Sequence, residues 1–198
     1  MKNSIFFLFL AFTLVSAGLP VNNTYILTKE YKVTIHGTSN LRNWKDSVGS
    51  VTGDMIVDLK EDGRLDFQAI HIKMKVGSIK SDMGQRMDSK TYKALKGDTY
   101  PEITFQLDNP VTLIQISTND APLLVNGYLT LAGICRPVIM KVTSLKYWQG
   151  KLQFEGSQQI KMTDYGVKPP TAFLGAVKAG PDITINFKTN FTNKQNEL

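Results

Sequence analysis

The residues able to do chemistry in this chain are few and scattered. His36 and His71 are its only histidines, and Cys135 is its only cysteine. A closed zinc site needs about four ligands in a tetrahedral set. No HxH, HExxH or paired-Cys spacing supplies one, so His36 and His71 read as polar residues of strands or strand ends. There is no GxSxG elbow, and neither a GxxxxGK[ST] nor a GxGxxG loop for phosphate. A Ser-His-Asp set assembled from distant residues stays open. Cys135 sits in Gly133-Ile134-Cys135-Arg136-Pro137, which reads as a turn. It is a structurally incidental thiol unless it reacts or pairs with a second molecule. Asp164-Tyr165-Gly166, followed by Pro169-Pro170, offers either a polar site or a plain strand terminator in which Gly supplies positive φ. The expectation is no catalytic residue, no metal and no cofactor.

Two softer sets stand out. Met74, Met83, Met87, Met140 and Met162 are spread along the apolar positions. Methionine adapts to irregular apolar shapes, which suits a flexible lipid tail and equally an ordinary core. Lys80, Arg86, Lys90 and Lys93 gather positive charge in one short stretch. They could meet a phosphate, with Arg as a bidentate donor, or simply face solvent.

The elements that must position these residues are mostly strands. Tyr31, Val33, Ile35 and Gly37 alternate with polar residues, and so do Leu123–Leu131 and Ile183–Phe187, the period-2 mark of a half-buried strand. Val138, Met140 and Val142 share one parity, as do Leu152, Phe154, Gly156, Ile160 and Met162. Between Leu65 and Val76 the apolar parity switches near Ala69–Ile70, which predicts a β-bulge. Asp62-Gly63 and Gln149-Gly150 read as tight hairpins. One stretch breaks the pattern. Around 88–97 the spacing predicts a short helix with Asp88 as N-cap, a Met87–Tyr92 hydrophobic staple and Gly97 at C′. About eight or nine hairpin-linked strands with one helix favour an antiparallel meander closed into a barrel, the helix acting as a lid over one end. Thr163–Asp182 is expected as a loose loop, and Thr192–Leu198 as a polar tail.

The first 17 residues read as a secretory signal peptide. Lys2 is the basic start, Ile5–Val15 the apolar run, and Val15-Ser16-Ala17 the small-residue cleavage site. The run is about half the ~20 residues needed to cross a bilayer. Residues 18–198 then form one domain. Its net charge is +5, because Lys2 is the only charged residue removed from a chain of +6. Without dense Lys/Arg clusters or a recognised motif, this charge does not point to nucleic acid. A single cysteine leaves no intramolecular disulfide, so the fold stands on its core.

Several segments together resemble the YceI-like family of exported lipid-binding proteins. They are HGTSNLRNW with the following VTG (36–44, 51–53), VGSIKSDMGQRMDSKTYKALKGDTYPEITFQL (76–107), VNGYLTLAGICRPVIMKV (125–142) and MTDYGVKPPTAFLGAVKAGPDITINF (162–187). Ile134-Cys135 departs from the Thr-Lys type of turn common in that family. The resemblance implies an all-β fold, an extended lipocalin-like antiparallel barrel with an apolar tunnel. It also implies binding of a polyisoprenoid chain, as in isoprenoid quinones or polyprenyl phosphates, in the bacterial periplasm, and with no catalytic motif in the sequence the first reading is a non-enzymatic carrier.

On that reading the tunnel wall is expected from Phe67, Ile72, Met74, Ile103, Phe105, Leu129, Met140, Phe154 and Phe187. Tyr92 and Leu95 would close the mouth, and Arg86 and Lys90 are head-group candidates. The partner is a long-chain lipid, with no integral membrane segment once the signal is removed. A homodimer stays open, as does secretion from the cell. Two rival readings remain at this point. One is an exported enzyme acting on a small lipid, with His36 or Asp164 as acid/base. The other is an interaction protein whose barrel is packed solid.

Overall fold

The computed structural model describes residues 23–114 and 122–194. The expected signal peptide lies outside these residues, as do 195–198 and most of the turn expected at Thr118–Pro122. The strands are β1 (Thr24–Ser39), β2 (Trp44–Val48), β3 (Val51–Leu59), β4 (Leu65–Lys75), β5 (Ile79–Ser81) and β6 (Glu102–Leu107). They continue as β7 (Val111–Ile114), β8 (Leu123–Leu131), β9 (Ile134–Trp148), β10 (Lys151–Lys161), β11 (Thr171–Ala172) and β12 (Val177–Asn193). Among the described residues one α-helix, α1 (Gln85–Ala94), lies between β5 and β6.

Eight strands close an antiparallel barrel in the order β1–β3–β4–β6–β8–β9–β10–β12, with β12 returning to β1. The closing ladder pairs Tyr25 with Asn193 at one end and Ser39 with Ala179 at the other. The alternation seen in the sequence is what closes it. Val33, Phe105, Leu129, Val142, Leu152, Phe154 and Ile185 all turn inward and are buried, while their polar neighbours face water. The parity switch in β4 is a bulge. Ile56 pairs with Ala69 and Val57 with Phe67, so Gln68 is the extra residue, one position before the expected site. It lets Leu65 and Phe67 on one side, and Ile72 and Met74 on the other, face the same interior.

The four remaining strands are additions. β2, β5 and β11 build one end, and β7 pairs with β4. Neither β2 nor β5 stood out in the sequence, because each is short and flanked by turn residues. At this end β1 leaves β3 and takes β2, which carries β5. Tyr31 holds the bend between β2 and β3. Its hydroxyl donates to Gly49 O at 2.9 Å and accepts from Val51 N–H at 3.1 Å.

Three expectations need correcting. Cys135, Arg136 and Pro137 are in strand β9, not a turn. The turn is Ala132–Gly133 alone, both at positive φ (50° and 81°), a two-residue hairpin. Pro137 is tolerated because the β9–β10 ladder stops at Lys141–Ser157, leaving its missing N–H on an open edge. The loose loop expected at Thr163–Asp182 contains β11 and the start of β12. Thr192 and Asn193, expected in a polar tail, pair with Ile26 and Tyr25.

The helix also differs from its expected caps. α1 starts at Gln85 after Gly84 (φ 86°), so Asp88 is inside its first turns and no side chain caps it. Its end is a Schellman motif shifted by one residue. Gly97 N–H reaches Tyr92 O at 2.8 Å and Lys96 N–H reaches Lys93 O at 3.1 Å. Lys96, not Gly97, takes the left-handed conformation, at φ 53°. That conformation costs an L-residue about 1–2 kcal/mol, offset in a glycine by the extra freedom of its unfolded chain. Lys96→Gly is expected to stabilise the protein by a net ~0.5–1 kcal/mol. The check is a rise in urea midpoint with an unchanged slope.

Candidate functional site

Two apolar hollows of about 100 Å³ each lie inside the barrel. The outer one lies under α1. It is walled by Ile35 of β1, Trp44 and Val48 of β2, Leu129 of β8 and Ile183 of β12, with Leu95 of α1 above. The inner one is lined almost wholly by apolar side chains, Thr189 being its one polar residue. Met74 and Ile185 line both, so the two hollows are successive segments of one axial path. Its floor is an aromatic stack. The Phe154 ring meets Phe67 edge-on at 5.7 Å and Phe191 at 5.8 Å.

Every methionine except Met1 lines this path. Met83, Met87 and Met162 border the outer hollow, Met55 and Met140 the inner one, and Met74 both. A void of this size is far narrower than a prenyl chain needs. An unbranched thioether changes rotamer at low cost, so the walls that can give way are placed along the path. Glycines set its width elsewhere. A Cβ on Gly37 would fall 2.2 Å from the Trp44 ring, and one on Gly127 2.3 Å from Phe105. Only glycine allows those rings to lie against the wall.

The helix over the mouth is latched. Asp88 is 4% exposed. Its carboxylate accepts from Ser81 N–H at 2.7 Å and from Lys80 Nζ at 3.0 Å. These bonds, the backbone one first, hold its carboxyl below the usual carboxylate range. Tyr92 donates to Ile79 O at 2.8 Å and accepts from Lys80 Nζ at 3.0 Å. Lys80 is raised, first by Tyr92 and then by Asp88. On the far side Lys90 Nζ donates to Thr171 O at 2.6 Å, tying α1 to β11. Thus Ser81, Ile79 and Thr171 carry the lid through three side chains of one helix.

One charged group lies inside the mouth. Asp46 of β2 is 4% exposed and lines the outer hollow. Burial pushes its carboxyl up, reinforced by Asp82 and Asp88 and opposed by hydrogen bonds from Ser81 and Thr91. Arg42 lines the same hollow from its exposed rim. Neither residue stood out in the sequence. Parity carried the signal for Asp46, because Trp44, Asp46 and Val48 alternate on one face. At the other end burial, and then Tyr147, push the Tyr25 hydroxyl up to about 12.

The expected site residues fall into three groups. Leu95, Ile103 and Leu129 line the outer hollow, Ile72, Phe105, Met140, Phe154 and Phe187 the inner, and Met74 both. Phe67 lines neither. It is a floor residue behind Phe154. Tyr92 lines neither, its hydroxyl going to β5. Arg86 is exposed on α1, and Lys90 is engaged with Thr171. His36 bonds Thr34 (Nε2 to Oγ1, 3.0 Å) and His71 bonds Asp54 (Nδ1 to Oδ2, 3.2 Å), both outside the hollows. Asp164 is on the outer surface, where its backbone carbonyl accepts from Arg136 Nε. Among the described residues no cluster of three or more His, Cys, Asp or Glu is placed to hold a metal.

The family model for the YceI-like domain matches residues 25–191. The chain belongs to the YceI-like family. A UPF0312 protein of Pseudomonas savastanoi pv. phaseolicola is 26% identical over 209 aligned positions, covering 95% of this chain and 97% of that protein. The structure is similar to a polyisoprenoid-binding domain from Saccharophagus degradans (TM-score 0.61, 10% identity, 87% of this chain and 99% of that one). It is similar also to BcnA of Burkholderia cenocepacia (TM-score 0.58, 18% identity, 81% and 95%). At such identities these two establish the YceI-like barrel fold. No helix among the described residues is long and apolar enough to cross a membrane.

Asp46 and Asp88 have opposite pH signatures. The folded carboxyl of Asp46 is raised from 3.8, so its ionised form weighs against the fold, and this penalty is absent below 3.8 and grows as pH rises through the folded value. Asp88 is lowered from 3.8, so its contribution is present above 3.8 and is lost as pH falls through its folded value. Asp46→Asn is therefore expected to raise Tm near neutral pH. Asp88→Asn is expected to lower it. Both differences should shrink on acidification. Melting curves of the three proteins from neutral to acid pH check this, and two variants shifting the same way would contradict it.

Proposed function

We propose that this protein is an exported carrier that holds a long apolar lipid of polyisoprenoid type in its barrel. The chain would end in a quinone or a phosphate. The observation that carries the proposal is the Met-lined axial path, sealed by an aromatic floor and covered by a latched helix. Such a path offers a linear hydrocarbon continuous burial, worth ~0.8 kcal/mol per CH₂. Several prenyl units then bind tightly with few polar contacts. Release requires α1 to leave β5, which makes the Asp88–Ser81–Lys80 and Tyr92–Ile79 bonds the natural control of exchange.

The polyisoprenoid-binding domain of the similar Saccharophagus degradans structure supports the ligand class. The apolar run and small-residue cleavage site at 1–17 support export to the periplasm. A binding role fits better than catalysis. His36 and Asp164 line neither hollow, and they lie on β1 and on the 162–165 turn with separate partners.

The inner hollow gives a direct test. Met140 is half-buried against it, so Met140→Trp fills the path from a position with room to adjust outward. Titration with an isoprenoid quinone should show tight binding to the wild type and a loss of tenfold or more in the variant, about 1.4 kcal/mol. Circular dichroism checks that the variant is folded. Equal affinities in the two folded proteins would place the ligand elsewhere.

A further inference from the structure

The mouth carries two largely exposed leucines at its rim, of which only Leu41 also borders the outer hollow. Leu174 is at the tip of the β11–β12 hairpin, fully exposed, and Leu41 is at the tip of the 39–43 turn, 66% exposed. Leu174 is in the left-handed region (φ 55°, ψ 28°), followed by Gly175 at φ 92°. Glycine would suit position 174 better. A leucine there is both strained and fully wetted, with no compensating contact.

The two tips form one unit. Asn40 Nδ2 donates to Ala176 O at 2.9 Å, and Lys178 N–H donates to Asn40 Oδ1 at 2.8 Å. Ser39 Oγ accepts from Leu41 and Arg42 N–H and donates to Arg42 O, which stiffens the turn. Within the tip segments the charge has one sign, and exposed Asp82 is an acidic neighbour, its N–H donating to Lys45 O at 3.1 Å. Residues 38–45 and 167–181 contain Arg42, Lys45, Lys168 and Lys178 and no Asp or Glu. Leu41, Thr171 and Val177 of these same segments border the outer hollow.

We propose that this end of the barrel docks on an anionic lipid bilayer, with Leu41 and Leu174 inserted among the acyl chains. Arg42, Lys45, Lys168 and Lys178 then lie at the level of the head groups. Two rigidly linked apolar tips in a basic surround are the chemistry of interfacial attachment, in which apolar insertion and attraction to anionic lipid add. Docking this way sets the mouth against the bilayer, so a chain passes between membrane and barrel without crossing water. The inference goes beyond the carrier reading, since an empty barrel would dock as well.

The test is co-sedimentation of the full chain, freed of its signal peptide, with vesicles of phosphatidylglycerol and phosphatidylethanolamine. Vesicles of phosphatidylcholine alone are the comparison. The wild type should sediment with the anionic vesicles, less so as salt rises. Leu174→Ser should weaken the partition about tenfold, as expected for losing one inserted leucine. Leu41→Ser should weaken it further. Leu174 lines neither hollow, so Leu174→Ser should leave quinone affinity in solution unchanged, which separates this inference from the carrier reading. A wild type that stays in the supernatant, or Leu174→Ser that sediments like the wild type, overturns the proposal. So does a solution dimer broken by Leu174→Ser without any vesicle binding, which would make the tips a contact between two copies.

Discussion

The ladder between the first and last long strands is the constraint on which the rest depends. β1 and β12 are the two longest strands, and their pairing turns an open meander into a closed barrel. Closure pairs the two outermost long strands, leaving an open edge where β9 and β10 part beyond Lys141–Ser157, and fixes the distance across the interior. A side chain pointing inward must then fit what faces it, and the wall adjusts only where the chain permits. Glycine against Trp44 and Phe105, and the bulge at Gln68, are such places. What remains along the axis is a narrow apolar path that the barrel's own side chains do not fill.

A fixed wall with a soft lining is a workable design for a carrier. The backbone ladders give rigidity, and the methionines give the interior its ability to change shape. The latch of charged and polar side chains lies at the mouth, where β1 passes from β3 to β2. There the sheet gains short strands that hold α1 by hydrogen bonds, Ser81 N–H donating to Asp88 and Tyr92 and Lys90 donating to Ile79 O and Thr171 O. A covering element tied by a few polar bonds at an exposed end opens more readily than one packed into a core.

Much of this was legible in the sequence for a physical reason. Period-2 alternation reports a wall with one wet and one dry face, and the parity switch in β4 reports the bulge. The Asp62-Gly63 and Gln149-Gly150 turns report hairpins through positive φ. Local rules failed where distant contacts decide. Asp88 has the composition of an N-cap, yet its carboxylate is taken by Ser81 N–H, seven residues back. Tyr92 shares a face with Leu95, yet its hydroxyl reaches Ile79. β2 and β5 are too short for periodicity to register, which hid Asp46 even though its parity matches Trp44 and Val48. The inward residues Ile72, Met74, Phe105 and Met140 were readable from alternation alone, whereas depth along the axis, which separates Phe67 from the hollows, was not.

The central claim is that the barrel carries a long isoprenoid chain. Native mass spectrometry of the protein purified from its own cell envelope, followed by organic extraction and identification of the lipid, tests it most directly. The account predicts a stoichiometric adduct that extracts as a polyisoprenoid lipid. A protein that emerges empty, and stays empty when offered isoprenoid quinones and polyprenyl phosphates, would contradict it.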